Sequence, residues 1–480
     1  MATMTDPKAP TQATAARRRP LIFYGYWILG AAFVAQFVSV AVQAQVSGVF
    51  LGPMTEDLGW ARAEYASTQT IGRFIMAFAG FFIGVYVDRF GGRRLMLIGV
   101  TIVALSLMAV SQVQAYWQWV VLHGVIFTFG VALMSNLVVN VTLSKWFVRK
   151  RGRVIGFSSM GVSFAGIVIP PLMTIAVDEF GWRAGWRILA VGAVLLIYPV
   201  ALVMRRQPED HGLHPDGMSD EEVRTGGAHA AAVQADYDNS FTRREALHTS
   251  TFYIVVLSFG LGTIGIGVML FGSIPFLTDE GFSRGTAALM MSVLSFPAFI
   301  TKPIWGWLMD YVQPKRLASV GFAICAVAMV LILFSAKAHS LPLAAASFFL
   351  LGAGFGGQIP LQEVVWASYF GRRYLGAVRS VALPISLLLG ANGPLVVQIY
   401  YDRVGNYDNA FLAIAGCWAL AAGLILFVRQ PRRPRRMDEP PPSSSGPGTE
   451  AAAPRPGAPV APVGAVEAGD AGANAIGGPR

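Results

Sequence analysis

The chain is built from long apolar runs separated by short polar stretches. Each run holds about 18 or more predominantly apolar residues, enough for a helix to cross a bilayer. The pattern predicts helices over about 24–51, 64–87, 95–113, 116–143, 152–177 and 182–204. A polar segment of about 45 residues follows, carrying His211, His214, Asp220, Glu221, Glu222 and Asp236. Six more helices are expected over about 252–276, 286–309, 317–334, 341–369, 375–399 and 407–428. The organisation is therefore an N-terminal bundle over 20–204, a linker over 205–250 and a C-terminal bundle over 251–430. Residues 1–19 and 431–480 are polar or rich in Pro, Ala, Gly and Ser, and are expected to be disordered.

The two bundles repeat one another. Gly84-Val85-Tyr86-Val87-Asp88-Arg89-Phe90-Gly91-Gly92-Arg93-Arg94 returns in weaker form as Gly306-Trp307-Leu308-Met309-Asp310-Tyr311-Val312-Gln313-Pro314-Lys315-Arg316. The same offset pairs Pro53 with Pro275, Gly59 with Gly281 and Arg62 with Arg284. A slightly longer offset pairs Gly152 with Gly376, Pro170 with Pro394 and Gly181 with Gly405. Duplicated halves in a membrane chain point to a transporter with its substrate site between them. The fold class expected is an all-α membrane protein of twelve transmembrane helices in two pseudo-symmetric six-helix bundles.

Charge orients it. Basic residues crowd the N-terminus, the loops at Arg89–Arg94 and Lys145–Arg153, the linker, the loops at Lys315–Arg316 and Arg372–Arg373, and Arg429–Arg436. The opposite connections hold Arg62, Arg183, Arg187, Arg284, Lys337 and Arg403. This bias puts both termini in the cytoplasm and the chain in the cytoplasmic membrane. It also explains the net charge of +10 without nucleic acid as a partner. Hydrophobic residues make up 54% of the chain and charged ones 13%, unlike a soluble domain of 480 residues. Cys325 and Cys417 lie far apart in apolar spans and suggest no disulfide. No phosphate loop, metal-spaced His/Cys set or nucleophile motif is present, so no cofactor, metal or enzyme chemistry is expected. The expected partners are a small organic anion and the lipid bilayer, with the monomer as the functional unit.

The eleven-residue stretch resembles the loop 2–3 motif of the major facilitator superfamily, G-x-x-x-D-R-x-G-x-R-R, and its second copy resembles the degenerate partner between helices 8 and 9. The resemblance spans about residues 20–430. Gly84, Asp88, Arg89, Gly91, Arg93 and Arg94, with Gly306, Asp310, Lys315 and Arg316, are accordingly expected to gate the carrier. The acid and the basic pair would latch a loop that breaks as the halves rock.

Three cations lie inside spans: Lys302, Arg73 and Arg379. Each costs roughly 2.5–3.5 kcal/mol at mid-membrane, so each should face a cavity or a partner. Lys302 lies about 12 Å from Asp310 and Arg73 about 14 Å from Glu64 at helical rise, near the midplane. Arg379, a turn inside its span, could snorkel to the surface. Glu363 is the one carboxylate well inside a span, so at least one midplane cation awaits an anion. Asn136 and Asn140 share a helix face, as do Gln358 and Gln362. Gln45 and Asn392 complete the candidate substrate-binding set, and Glu363 and His123 are the candidates for proton coupling.

Gly48-Val49-Phe50-Leu51-Gly52-Pro53-Met54, Lys145-Trp146-Phe147, Tyr369-Phe370-Gly371-Arg372-Arg373 and Lys302-Pro303 with Gly306 resemble the branch of oxalate–formate antiporters and monocarboxylate transporters. In the latter an Arg-Pro stands where Lys302-Pro303 stands here, and its arginine binds the substrate carboxylate. Lysine keeps the charge but not the bidentate fork. Ala298 replaces an aspartate of that pattern, and Gln45 falls where their first helix carries a lysine. The resemblance implies a secondary transporter of a small mono- or dicarboxylate, coupled to protons or working by anion exchange. An exporter of amphipathic compounds and a non-transporting sensor are the alternatives.

Overall fold

A computed structural model describes residues 22–391 and 393–431. The expected disordered ends fall almost wholly outside them. Among the described residues every regular element is helical. The first half comprises α1 (Tyr24–Leu58), α2 (Arg62–Phe90), α3 (Gly92–Val110), α4 (Tyr116–Trp146) and α5 (Arg151–Val203). The linker contains α6 (Ala228–Asp238). The second half comprises α7 (Ser250–Asp279), α8 (Arg284–Met309), α9 (Pro314–Lys337), α10 (Leu341–Phe370), α11 (Leu375–Ala391), α12 (Gly393–Val404) and α13 (Asp408–Leu426). Among the described residues ten helices, α5 counted whole, are long and apolar enough to cross a membrane.

The repeated glycines mark the same turns in both halves. Gly59 (φ 69°) and Gly281 (φ 88°) follow the first helix of each half, and Gly181 (φ 78°) and Gly405 (φ 77°) recur near the end. These left-handed conformations favour a residue without Cβ. Gly181 breaks α5 into two arms, where the sequence predicts separate helices.

Two long helices depart from the regular spans predicted. Residues Ala41–Gln45 of α1 and Val120–Phe127 of α4 are wound as π-helix. Helix α4 then breaks at Met134 and Ser135 and restarts at Asn136. Inserted turns of this kind bend a helix and free backbone groups, and they concentrate at functional sites.

Each half has its own aromatic core. Phe50 stacks on Trp186 at 4.0 Å between ring centroids, beside fully buried Trp119 and Phe127. Trp366, Trp418, Phe252 and Phe276 play that part in the second half. The outer surface is also apolar, with Phe74, Phe78, Phe82, Leu195 and Phe334 exposed. Lipid, not water, is the solvent that suits such a face.

Candidate functional site: the seam between the halves

The halves meet where two glycine pairs let helices touch backbone to backbone. At α2 and α11, a Cβ on Gly84 would lie 1.9 Å from the Gly376 carbonyl oxygen. At α5 and α8, a Cβ on Gly152 would lie 2.4 Å from the Gly306 carbonyl oxygen. Both crossings lie at the end of the molecule that carries the linker.

Each crossing is fastened by the acid of one repeated motif. Asp88 pairs with Lys145 at 2.7 Å and accepts from the Ala377 N–H, at the start of α11, at 2.7 Å. Asp310 pairs with Arg153 at 2.7 Å and accepts from the Gly152 N–H, at the start of α5, at 3.1 Å. In both, a carboxylate from one half caps a helix N-terminus of the other, where the dipole and unpaired N–H groups favour an anion. The motif cations are not the acids' partners. Arg93, Arg94 and Arg316 are exposed, Arg89 lies over the Phe90 ring, and Lys315 donates to the Val428 carbonyl at 2.8 Å. The latch expected within each loop thus runs between the halves, because a helix N-terminus offers directed donors and a solvated loop cation does not.

The linker folds over this end. Asp236 pairs with Arg151 of the first half at 3.1 Å and lies 3.7 Å from Arg372 of the second. Glu209 also pairs with Arg372, at 2.7 Å, and the Phe241 N–H donates to the Phe370 carbonyl. Asp216, at φ 56°, accepts from the backbone N–H groups of Val148 and Arg149 and faces His229 at 3.2 Å. Burial pushes its carboxyl up, but the hydrogen bonds from His229, Arg149 and Val148 together outweigh that and hold it below its ordinary value.

Deeper in the seam lies Lys302. Its side chain leaves α8, crosses the boundary and ends on α5. The ammonium donates to the Ser159 carbonyl at 3.0 Å and to Ser163 Oγ at 2.5 Å. Lys302 is 3% exposed, and among the described residues no carboxylate forms an ion pair with it. Gly156 makes the reach possible: a Cβ there would lie 2.7 Å from the Lys302 carbonyl oxygen.

Between Lys302 and the latches runs a buried polar chain. Gln36 of α1 donates to Asn140 Oδ1 of α4 and to Ser158 Oγ of α5, both at 3.0 Å. The Asn140 carboxamide lies beside the Glu363 carboxylate of α10, and Glu363 is ion-paired with Arg379 of α11. The Arg379 guanidinium sits 5.8 Å from the centre of the Trp366 ring. Arg379 is 1% exposed, so it does not snorkel: the carboxylate one helix away neutralises it where it stands. Gln36 Oε1, Glu363 Oε2, and Arg379 Nε and Nη1 are buried without a hydrogen-bond partner. Buried polar groups without partners are uncommon in finished cores.

The other candidates disperse. Gln45 lies in the π-turn of α1 with its carboxamide against Gly166, one turn along α5 from Ser163. Asn136 opens the second segment of α4, its Oδ1 buried and unpartnered. Arg73 is half-buried on α2, beside Gly72, which packs on Thr128 of α4. Gln358 faces inward to Cys325 Sγ at 3.9 Å, and Gln362 is partly buried on α10. Asn392 lies outside the described residues. His123 sits in the first-half core, stacked on Trp119 at 4.1 Å and Phe127 at 4.7 Å, with Thr68 Oγ1 3.3 Å from its Nδ1. Sequence reasoning missed Ser159, Ser163 and Gln36. The signal available was Ser159 and Ser163 at i, i+4, continuing the face of Gly152 and Gly156.

The family model described as Major Facilitator Superfamily matches residues 28–382 and 256–467. The oxalate:formate antiporter of Oxalobacter formigenes is 23% identical over 413 residues, covering 84% of this chain and 92% of that one. Monocarboxylate transporter 3 of Rattus norvegicus is 25% identical over 414 residues, covering 84% of this chain and 79% of that one. Among solved structures, the proton:xylose symporter XylE superposes with a TM-score of 0.70 at 14% identity, over 85% of this chain and 96% of that one. The human organic anion transporter MFSD10 superposes with a TM-score of 0.64 at 14% identity, over 85% and 100%. The repeated halves, the crossed acid latches and the family match agree: the chain is a membrane transporter of the Major Facilitator Superfamily.

Proposed function

We propose that the protein is a secondary transporter of a small organic anion, a mono- or dicarboxylate, across the cytoplasmic membrane by alternating access. The observation that carries this reading is Lys302: a buried cation at the seam that, among the described residues, bonds to neutral oxygens and to no carboxylate. An ammonium so placed is stabilised by an anion that arrives and leaves. The names of the relatives, an oxalate:formate antiporter and a monocarboxylate transporter, support the same class.

In this reading α5 contributes two spans, parted at Gly181, and α11 with α12 contributes one, giving twelve. Both termini and the linker face the cytoplasm, and the latches at Asp88 and Asp310 close that side. Arg73, Gln45, Asn136 and Asn140 orient the anion from the first half. Glu363 supplies the proton site: protonation would free Arg379 and loosen the chain through Asn140 and Gln36 to the other half. The carrier works as a monomer.

Counterflow into proteoliposomes, with labelled carboxylates and their neutral amides outside and unlabelled acid inside, tests this. Uptake of an acid but not its amide is expected. Equal uptake of both, or of no acid by folded protein, contradicts the reading.

A further inference from the structure

We infer that Ser163 is the second donor of a two-point carboxylate clasp whose first donor is Lys302. The inference rests on the carboxylate reading above and adds the residue that gives it geometry. A guanidinium can offer two parallel N–H groups to the two oxygens of one carboxylate, while an ammonium is a point charge. The Lys302 ammonium and Ser163 Oγ lie 2.5 Å apart, close to the spacing of those two oxygens.

The hydroxyl of Ser163 is also placed to donate. A helical serine normally gives its O–H to a carbonyl three or four residues back. Ser158 does this to Ile155 and Ser159 to Gly156. Among the described residues Ser163 gives its O–H to no carbonyl, neither that of Met160 three back nor that of Ser159 four back, which accepts from Lys302 at 3.0 Å. Ser163 Oγ accepts from Lys302, so its proton remains to be given. The residue is only partly buried, whereas Ser158 and Ser159 are fully so. Lys302 likewise has a third N–H beyond the two that α5 accepts. One cationic and one neutral donor, from opposite halves, thus sit side by side. A carboxylate taking one bond from each replaces the direct Lys302–Ser163 bond with a bridge between the halves. Binding and closure then become one event.

The test is counterflow kinetics of the carboxylate that wild type takes up. Ser163→Ala should raise KM about ten-fold or more, the loss of one hydrogen bond to a charged group. Ser163→Thr should recover most of it. Lys302→Arg restores a fork on one residue, so Ser163→Ala in that background should change KM less than about three-fold. An unchanged KM in Ser163→Ala, or the same defect in both backgrounds, overturns the clasp while leaving the carboxylate carrier intact. No carboxylate uptake by wild type overturns both. Thermal melting identifies variants that fail to fold, and Ser163→Cys, a weaker donor of similar size, carries the test if the alanine variant does.

Discussion

Gly84 sets how closely the two halves can meet, so replacing it by alanine should open the latched end. The added Cβ would lie 1.9 Å from the Gly376 carbonyl oxygen and 2.7 Å from both the Gly376 carbonyl carbon and Ser380 Cβ. Ordinary contacts fall near 3.5 Å, so α2 and α11 must part by about 1.5 Å. Two of these three neighbours are backbone atoms and cannot rotate aside. Overpacking of this kind costs about 1–3 kcal/mol. In the alternating-access reading proposed above the crossing separates when the halves rock, so the whole cost falls on the closed state. The closed population should therefore drop about 5- to 150-fold relative to the alternative. Gly80, one turn away on the same helix, is the control. Its Cβ would first meet Leu383 Cδ2 at 3.3 Å, the tip of a side chain that can give. Spin labels at exposed positions 94 and 316, one on each half, with Cys325 and Cys417 replaced, report the separation by pulsed dipolar spectroscopy. A longer distance is expected in Gly84→Ala, and the wild-type distance in Gly80→Ala. Wild-type distances in Gly84→Ala, or an equal shift in both, would refute the reasoning.

Three further outcomes are expected. Arg379→Ala should destabilise the purified protein by about 3–5 kcal/mol by leaving Glu363 buried and unpaired, and Glu363→Gln in the same chain should recover much of that, read by thermal unfolding. Glu363→Gln alone should keep counterflow but abolish accumulation driven by a pH gradient, whereas His123→Phe, which can preserve the ring stack, should keep both; proton-driven accumulation in Glu363→Gln would move the coupling elsewhere. Asp216 has its acidity raised by its hydrogen bonds, so its contribution is complete above the ordinary value of 3.8 and is lost as pH falls through the lower folded value. Proteolysis of the linker should accelerate below about pH 4, and at neutral pH Asp216→Ala should mimic acid, because it also places a Cβ-bearing residue without a local hydrogen bond at φ 56°.

Much of this architecture can be read from residue pattern because it rests on backbone geometry. Gly59 and Gly281, or Gly181 and Gly405, repeat since the same left-handed turn is needed twice. Asp88 and Asp310 repeat since each caps the same kind of helix start across the seam. Lys302 stands out as a charge in an apolar span, where solvation alone marks it. Pairing is harder to read. Arg379 sits one turn inside its helix, where snorkelling and burial are equally consistent with position, and only the approach of α10 to α11 decides for Glu363. Ser163 is invisible for the opposite reason: serine is common in membrane helices, and its role depends on a lysine more than a hundred residues away. The linker composition suggests a polar connection, yet Asp216 and Asp236 bind it to both halves through contacts that no local pattern encodes. His123 reads from sequence as a titratable group in a span; Trp119 and Phe127 stack on it from the adjacent turns of its own helix, and only Trp186 reaches it from a distant one.

The central claim is that Lys302 is the charge that receives the anion. Counterflow of a labelled monocarboxylate in proteoliposomes, comparing wild type with Lys302→Gln and Lys302→Arg, tests it most directly. The account predicts uptake by wild type, its loss in Lys302→Gln and its retention in Lys302→Arg. Wild-type uptake by Lys302→Gln would contradict it and move the anion site away from the α5–α8 seam.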